Sequence, residues 1–194
     1  MQYSIAISDA VLAAVCVWGI VKLGRTRFDL SAVPGFGIVG VAALLGVLRY
    51  AFFPELKPAH GLVSTMAGWI GMPLLGFAFI LASWRAFSRR VQVGVIFALL
   101  ALFLLFAYVV PFKLYGIVIG GLAMVVVLAS GIKELTANQE FAFAAIVGAV
   151  LVIFVGLVVR GEGAWAGVLR VNWYHYGLAL AMGALAFALR RKRL

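Results

Sequence analysis

The sequence predicts an all-α, polytopic membrane protein, a single bundle of seven transmembrane helices. Three observations carry that expectation. Hydrophobic residues make up 66% of the 194 residues and charged residues only 11%, and the mean hydropathy is +1.17, a composition suited to lipid rather than water. The charges stand in the gaps between apolar runs. The runs fall at 4–23, 33–53, 60–83, 91–110, 112–130, 141–160 and 172–190, each close to the ~20 residues that cross a bilayer. Seven crossings with short connections occupy residues 1–194 and leave no room for a separate soluble domain.

The first run has no basic residues ahead of it and no small-residue cleavage site before Lys22, so it is expected to be retained rather than removed as a signal peptide. It holds Asp9 and the chain's one cysteine, Cys16, which has no partner for an intrachain disulfide. The second run ends at Arg49 and the third opens at His60. Val110-Pro111-Phe112-Lys113 divides the fourth run from the fifth. A tight turn at Pro111 is expected there rather than a bent helix, because proline lacks a backbone donor. Lys113, beside Tyr115 at a helix mouth, is too far from mid-span for a retinal Schiff base. Gly161-Glu162-Gly163-Ala164-Trp165 reads as a flexible outer loop, or a lid, before the last run.

Glycines recur inside the runs, as at Gly68, Gly71 and Gly76, and at Gly116, Gly120 and Gly121, where small residues let helix backbones approach closely. No strand precedes them, which excludes a nucleotide-binding loop. No repeat at a fixed period supports the inverted halves of many transporters.

The formal charge of +10 serves as a topology signal and a contact for membrane lipids, not for nucleic acid. Lys22, Arg25, Arg27, Arg85, Arg89, Arg90, Lys133, Arg190, Arg191, Lys192 and Arg193 fall on one side, eleven in all; Arg49, Lys57, Lys113, Arg160 and Arg170 fall on the other. The side with more basic residues is expected to be cytoplasmic, placing the N-terminus outside a bacterial cytoplasmic (inner) membrane. Trp84 and Trp173 then stand at the two interfaces.

Ionisable groups inside a span are costly and need a partner or a watery cavity. Asp9 is such a group, readable as a metal ligand, a proton carrier, a base orienting a histidine, or an interfacial carboxylate paired with Arg49. The two histidines are His60 and His175, and the predicted topology puts both at the depth of Asp9. His60, Ser64 and Thr65 make a polar stripe on the third helix, while Asn172 and His175 share a face with Ala179 and Gly183, so both histidines are expected to look inward. His60 also reads as an interfacial loop residue, and His175 as a structural partner of Asp9 or of a backbone carbonyl. Two imidazoles and a carboxylate suit zinc with an open position for water, so Asp9, His60 and His175 form a candidate metal site. A triad of Ser64, His60 and Asp9 is the alternative catalytic set.

Ser8-Asp9 in the first helix, a histidine after the second, and Asn172-x-x-His175 opening the last resemble a family of small seven-helix bacterial membrane proteins of uncharacterised activity. More distantly, the pattern is similar to the alkaline ceramidase and adiponectin receptor superfamily, zinc-dependent amide hydrolases with seven helices. That resemblance implies a membrane-embedded hydrolase with His60 and His175 as ligands and Asp9 as acid, base or third ligand. The last helix departs from that superfamily's His-x-x-x-His pair, with Val171 and Ala179 standing four residues to either side of His175. The leading expectation is a hydrolase of a lipid or amphiphile at an outward-facing site, zinc being its candidate cofactor. The alternatives are a small-solute or proton transporter or channel, and a non-catalytic membrane subunit.

Overall fold

The structure, a computed structural model, describes residues 2–26, 28–110, 112 and 114–192. The expected turn at Pro111, the helix-mouth position of Lys113 and the charges Arg27 and Arg193 lie outside the described residues. The long helices are α1 (Gln2–Leu23), α2 (Asp29–Ala51), α3 (Pro54–Ser83), α4 (Arg89–Val109), α5 (Tyr115–Lys133), α6 (Gln139–Val159) and α7 (Arg170–Arg191). A two-stranded hairpin, β1 (Ala164–Trp165) and β2 (Val168–Leu169), joins the last two.

The first six helices are long and apolar enough to cross a membrane. At 22 residues α7 matches them in length, but it is not among that six, and its first two turns carry Asn172, Trp173, Tyr174, His175 and Tyr176.

Local chemistry accounts for the helix boundaries. Pro54 opens α3 at a position where its missing N–H costs nothing, and so the third helix starts before the expected residue 60. Pro73 has no N–H for the Trp69 carbonyl, and α3 widens into a π-turn over Ala67–Gly71 just ahead of it. The Ser88 side chain accepts from the Val91 N–H to cap α4, and the Asn138 side chain accepts from the Phe141 N–H to cap α6.

Contacts close α1, α2, α3, α5, α6 and α7 into a ring, in which α2 meets α3, α3 meets α5, and α7 returns to α1. Helix α4 lies outside the ring against the π-turn of α3, and it is the least buried of the long apolar helices. The ring is filled by apolar side chains, among them Phe36, Phe79, Phe141, Met124, Met182 and Leu185.

Consecutive helices alternate in direction, which separates two ends. One end gathers the start of α7 with the start of α1, and the end of α2 with the start of α3. The opposite end is a rim of ion pairs, Arg89 with Asp29, Arg191 with Glu140 and Lys192 with Glu134. There Lys133 also donates to the Ser83 carbonyl and Trp84 Nε1 to Ser130 Oγ.

Glycine sets the closest helix approach between α3 and α5. A Cβ on Gly76 would stand 3.0 Å from Ala123 Cα and 3.1 Å from its carbonyl oxygen. Backbone cannot yield as a side-chain tip can. Gly76→Ala is therefore expected to cost about 1–3 kcal/mol, whereas Gly37→Ala, with nothing within 4 Å, should cost none. Thermal unfolding of the two purified variants checks the difference.

Candidate functional site

Ser4 and Ser8 lie one turn apart on α1, and Asn172 and His175 lie three apart on α7, so each pair falls on one helix face. Those faces meet. Asn172 Nδ2 donates to Ser4 Oγ at 3.1 Å, and Ser8 Oγ lies 3.1 Å from His175 Nδ1 and 3.4 Å from Asn172 Oδ1. Asp9 Oδ1 stands 3.3 Å from the same His175 Nδ1. Asp9 is 1% exposed and His175 8%.

An Nδ1-protonated His175 satisfies both acceptors beside that nitrogen. The Ser8 hydroxyl has one proton, and the Ile5 carbonyl accepts it at 2.9 Å. Ser8 Oγ and Asp9 Oδ1 both then accept from one donor, the His175 Nδ1–H. Among the described residues no hydrogen bond to Nε2 is found, on a ring whose side chain is 10% exposed. Asp9 Oδ2 makes no hydrogen bond with the described residues and abuts Gly46 of α2, where a Cβ would collide with the carboxylate.

The expected inward faces hold on α7 and fail on α3. Asn172, His175 and Ala179 are buried. The first ten residues of α3's α-helical part contain no buried residue, and Ser64 is exposed. The Thr65 hydroxyl donates back to the Gly61 carbonyl. No hydrogen bond links Ser64 to His60 or Asp9 among the described residues, so the Ser64–His60–Asp9 set does not assemble. His60 turns to α2, its Nδ1 3.0 Å from Arg49 Nη1. Asp9 takes His175 as its close partner rather than Arg49.

Among the described residues no group of three His, Cys, Asp or Glu side chains is placed to hold a metal ion. The donor chemistry agrees. The guanidinium occupies His60 Nδ1 and sets a positive charge beside the ring, which opposes a dication there.

Beneath Asp9 and His175 the interior is apolar, with Leu12, Ala13, Cys16, Leu178, Met182 and Leu185 packed together. Of the other buried polar groups among the described residues, Ser31, Gln92, Ser130 and Glu134 lie toward the opposite rim, and the buried Tyr115 hydroxyl lies at the start of α5. The cluster is thus closed below and belongs to one end.

Of the segment expected to be a flexible loop or a lid, Gly161, Glu162 and Gly163 are irregular bends, and Ala164 and Trp165 form the first strand of a hairpin. Ala164 pairs with Leu169 and Trp165 with Val168, around Ala166 and Gly167 at φ 49° and 77°, the positive values that a two-residue hairpin turn of this hand requires. Arg170 Nε donates to the Val159 carbonyl at 3.0 Å and its Nη2 to that of Val158 at 2.7 Å, closing the end of α6. Trp173 Nε1 donates to the Trp165 carbonyl, tying the hairpin to the start of α7.

Fold and site together define an all-α bundle of the kind compatible with an integral membrane protein, with an Asp–His pair buried at one end. Comparison of the chain with protein-family models, with curated proteins and with solved structures finds no match.

Proposed function

We propose that the chain is a membrane-embedded hydrolase of a lipid or amphiphile, with Asp9 and His175 as its general base. The observation that carries this reading is the 3.3 Å contact of Asp9 Oδ1 with His175 Nδ1, which orients the ring; among the described residues Nε2 has no hydrogen bond. In this chemistry Nε2 takes a proton from water as the water oxygen attacks an ester or amide carbonyl carbon. The imidazolium then returns that proton to the leaving oxygen or nitrogen as its bond to carbon breaks. Asp9 steadies the imidazolium, as in other Asp–His pairs.

The apolar floor below the pair favours this reading over a conducting path. The basic-residue count supports an outward-facing site in a bacterial cytoplasmic membrane. The proposal needs no metal; stoichiometric zinc in purified protein, with activity lost to a chelator, would assign the water activation to zinc instead.

The test is hydrolysis of a panel of ester and amide amphiphiles by the reconstituted chain in ¹⁸O-water, read by mass spectrometry. One ¹⁸O in the released acid, absent with His175→Gln, is the expected result. No product across the panel, or equal product from His175→Gln, contradicts the proposal.

A further inference from the structure

At the rim opposite the Asp9–His175 pair, a cavity of 310 Å³ lies between the α1–α2 turn, the end of α3 and the start of α4. Thr26, Asp29, Arg89 and Gln92 line it, together with the apolar Leu81 and Phe87. Its volume is near the lower bound of about 300 Å³ for ligand sites, so it suits a headgroup-sized molecule rather than a whole lipid.

Hydrogen bonding leaves this wall short of donors. Arg89 Nη2 donates to Asp29 Oδ2 at 3.0 Å and lies 3.3 Å from Oδ1, and the Leu30 N–H donates to Oδ1 at 2.8 Å. A carboxylate accepts about four hydrogen bonds, so Asp29 keeps spare capacity. The Thr26 hydroxyl donates its one proton to the Leu23 carbonyl at 2.8 Å, which leaves its oxygen an acceptor. Gln92 Nε2 donates to the Phe87 carbonyl at 3.2 Å. Gln92 Oε1, on a residue 5% exposed, meets no donor among the described residues, a costly state for a buried acceptor. Three acceptors thus stand in the wall of one cavity. A primary ammonium, with three N–H bonds and no acceptor, is their complement.

The cations of the wall call for an anion beside that ammonium. The Arg89 side chain is 74% exposed and has N–H donors beyond the one on Asp29, in a fork that matches phosphate. Arg85, its central carbon 5.6 Å from the Phe87 ring, adds a second guanidinium and is in no ion pair among the described residues. We propose that this cavity binds a phosphoethanolamine group, with its ammonium on Asp29, Thr26 and Gln92 and its phosphate on Arg89. The two charges of the ligand then lie antiparallel to the Arg89–Asp29 pair. A trimethylammonium group has no N–H to offer these acceptors and is disfavoured. The site is separate from Asp9 and His175 and does not depend on the hydrolase reading.

The full chain in maltoside micelles is titrated with phosphatidylethanolamine, its N-methyl and N,N-dimethyl derivatives and phosphatidylcholine, all with the same acyl chains, and the first lipid bound is read by native mass spectrometry. Affinity is expected to fall stepwise along the series, by about tenfold or more from end to end. That comparison uses the unaltered chain and so does not depend on any variant folding. Asp29→Asn should erase the preference, and Gln92→Leu, which keeps the ion pair, should reduce it. Displacement of the bound lipid by soluble phosphoethanolamine assigns the site to the free headgroup as well, and no displacement assigns it to the membrane lipid; both uphold the site. Equal affinity across the series, or a preference unchanged in Asp29→Asn and Gln92→Leu, overturns it.

Discussion

Gly46→Ala is expected to destabilise the bundle by about 3 kcal/mol, combining overpacking with loss of a buried polar contact. The added Cβ would fall on the Asp9 carboxylate. Helix α1 is bound along its length to α2, so the carboxylate cannot retreat without leaving His175. A movement of Asp9 would strip His175 Nδ1 of its charged acceptor inside an apolar bundle. The sign of the coupling sets this prediction apart from an ordinary packing defect. Asp9→Ala removes the atoms with which the new methyl collides, so Gly46→Ala combined with Asp9→Ala should be more stable than the two separate losses predict. Unfolding midpoints of the wild type, both single variants and the double variant give the coupling directly. Strictly additive losses would mean that Gly46 and Asp9 do not touch.

On the proposed hydrolase reading, Asp9→Asn is expected to lower hydrolysis by about 10²- to 10⁴-fold, the scale of general-base catalysis and of a lost orienting carboxylate. Asparagine nearly matches aspartate in size and still reaches His175 Nδ1. It loses the charge that steadies the imidazolium, and its amide N–H can donate to Nδ1, which moves the ring proton to Nε2 and blocks the base. Because shape is kept, the fold should hold while turnover falls. Ser64→Ala provides the contrast, since Ser64 is exposed and among the described residues makes no hydrogen bond to the pair; its turnover should match the wild type within about twofold, as for surface changes of small energetic effect.

The helices were legible because apolar runs of bilayer length have few other uses, and the proline and glycine punctuation marked most of their ends. The boundaries moved where one residue decides them, as when Pro54 started α3 early. At the site, helical spacing correctly grouped Asn172 with His175, because Ala179 and Gly183 continue a closely packing face. The same logic failed for His60 and Ser64. Spacing shows which side chains share a face of α3 but not which way that face turns, and Arg49 drew His60 toward α2. Gly46 could be read as a place of close approach, yet nothing near it in sequence names Asp9 as what approaches. The hairpin was missed for want of an Asn-Gly or Asp-Gly pair, its turn being made by Ala166 and Gly167.

The central claim is that Asp9 holds His175 with its proton on Nδ1 and its Nε2 free. Ring-¹⁵N spectra of the two-histidine chain read this directly. The account predicts a His175 signal pair of the Nδ1-protonated form in the wild type, shifting toward the Nε2-protonated form in Asp9→Asn. A wild-type His175 already protonated on Nε2 alone, or one whose signals ignore Asp9→Asn, would contradict it.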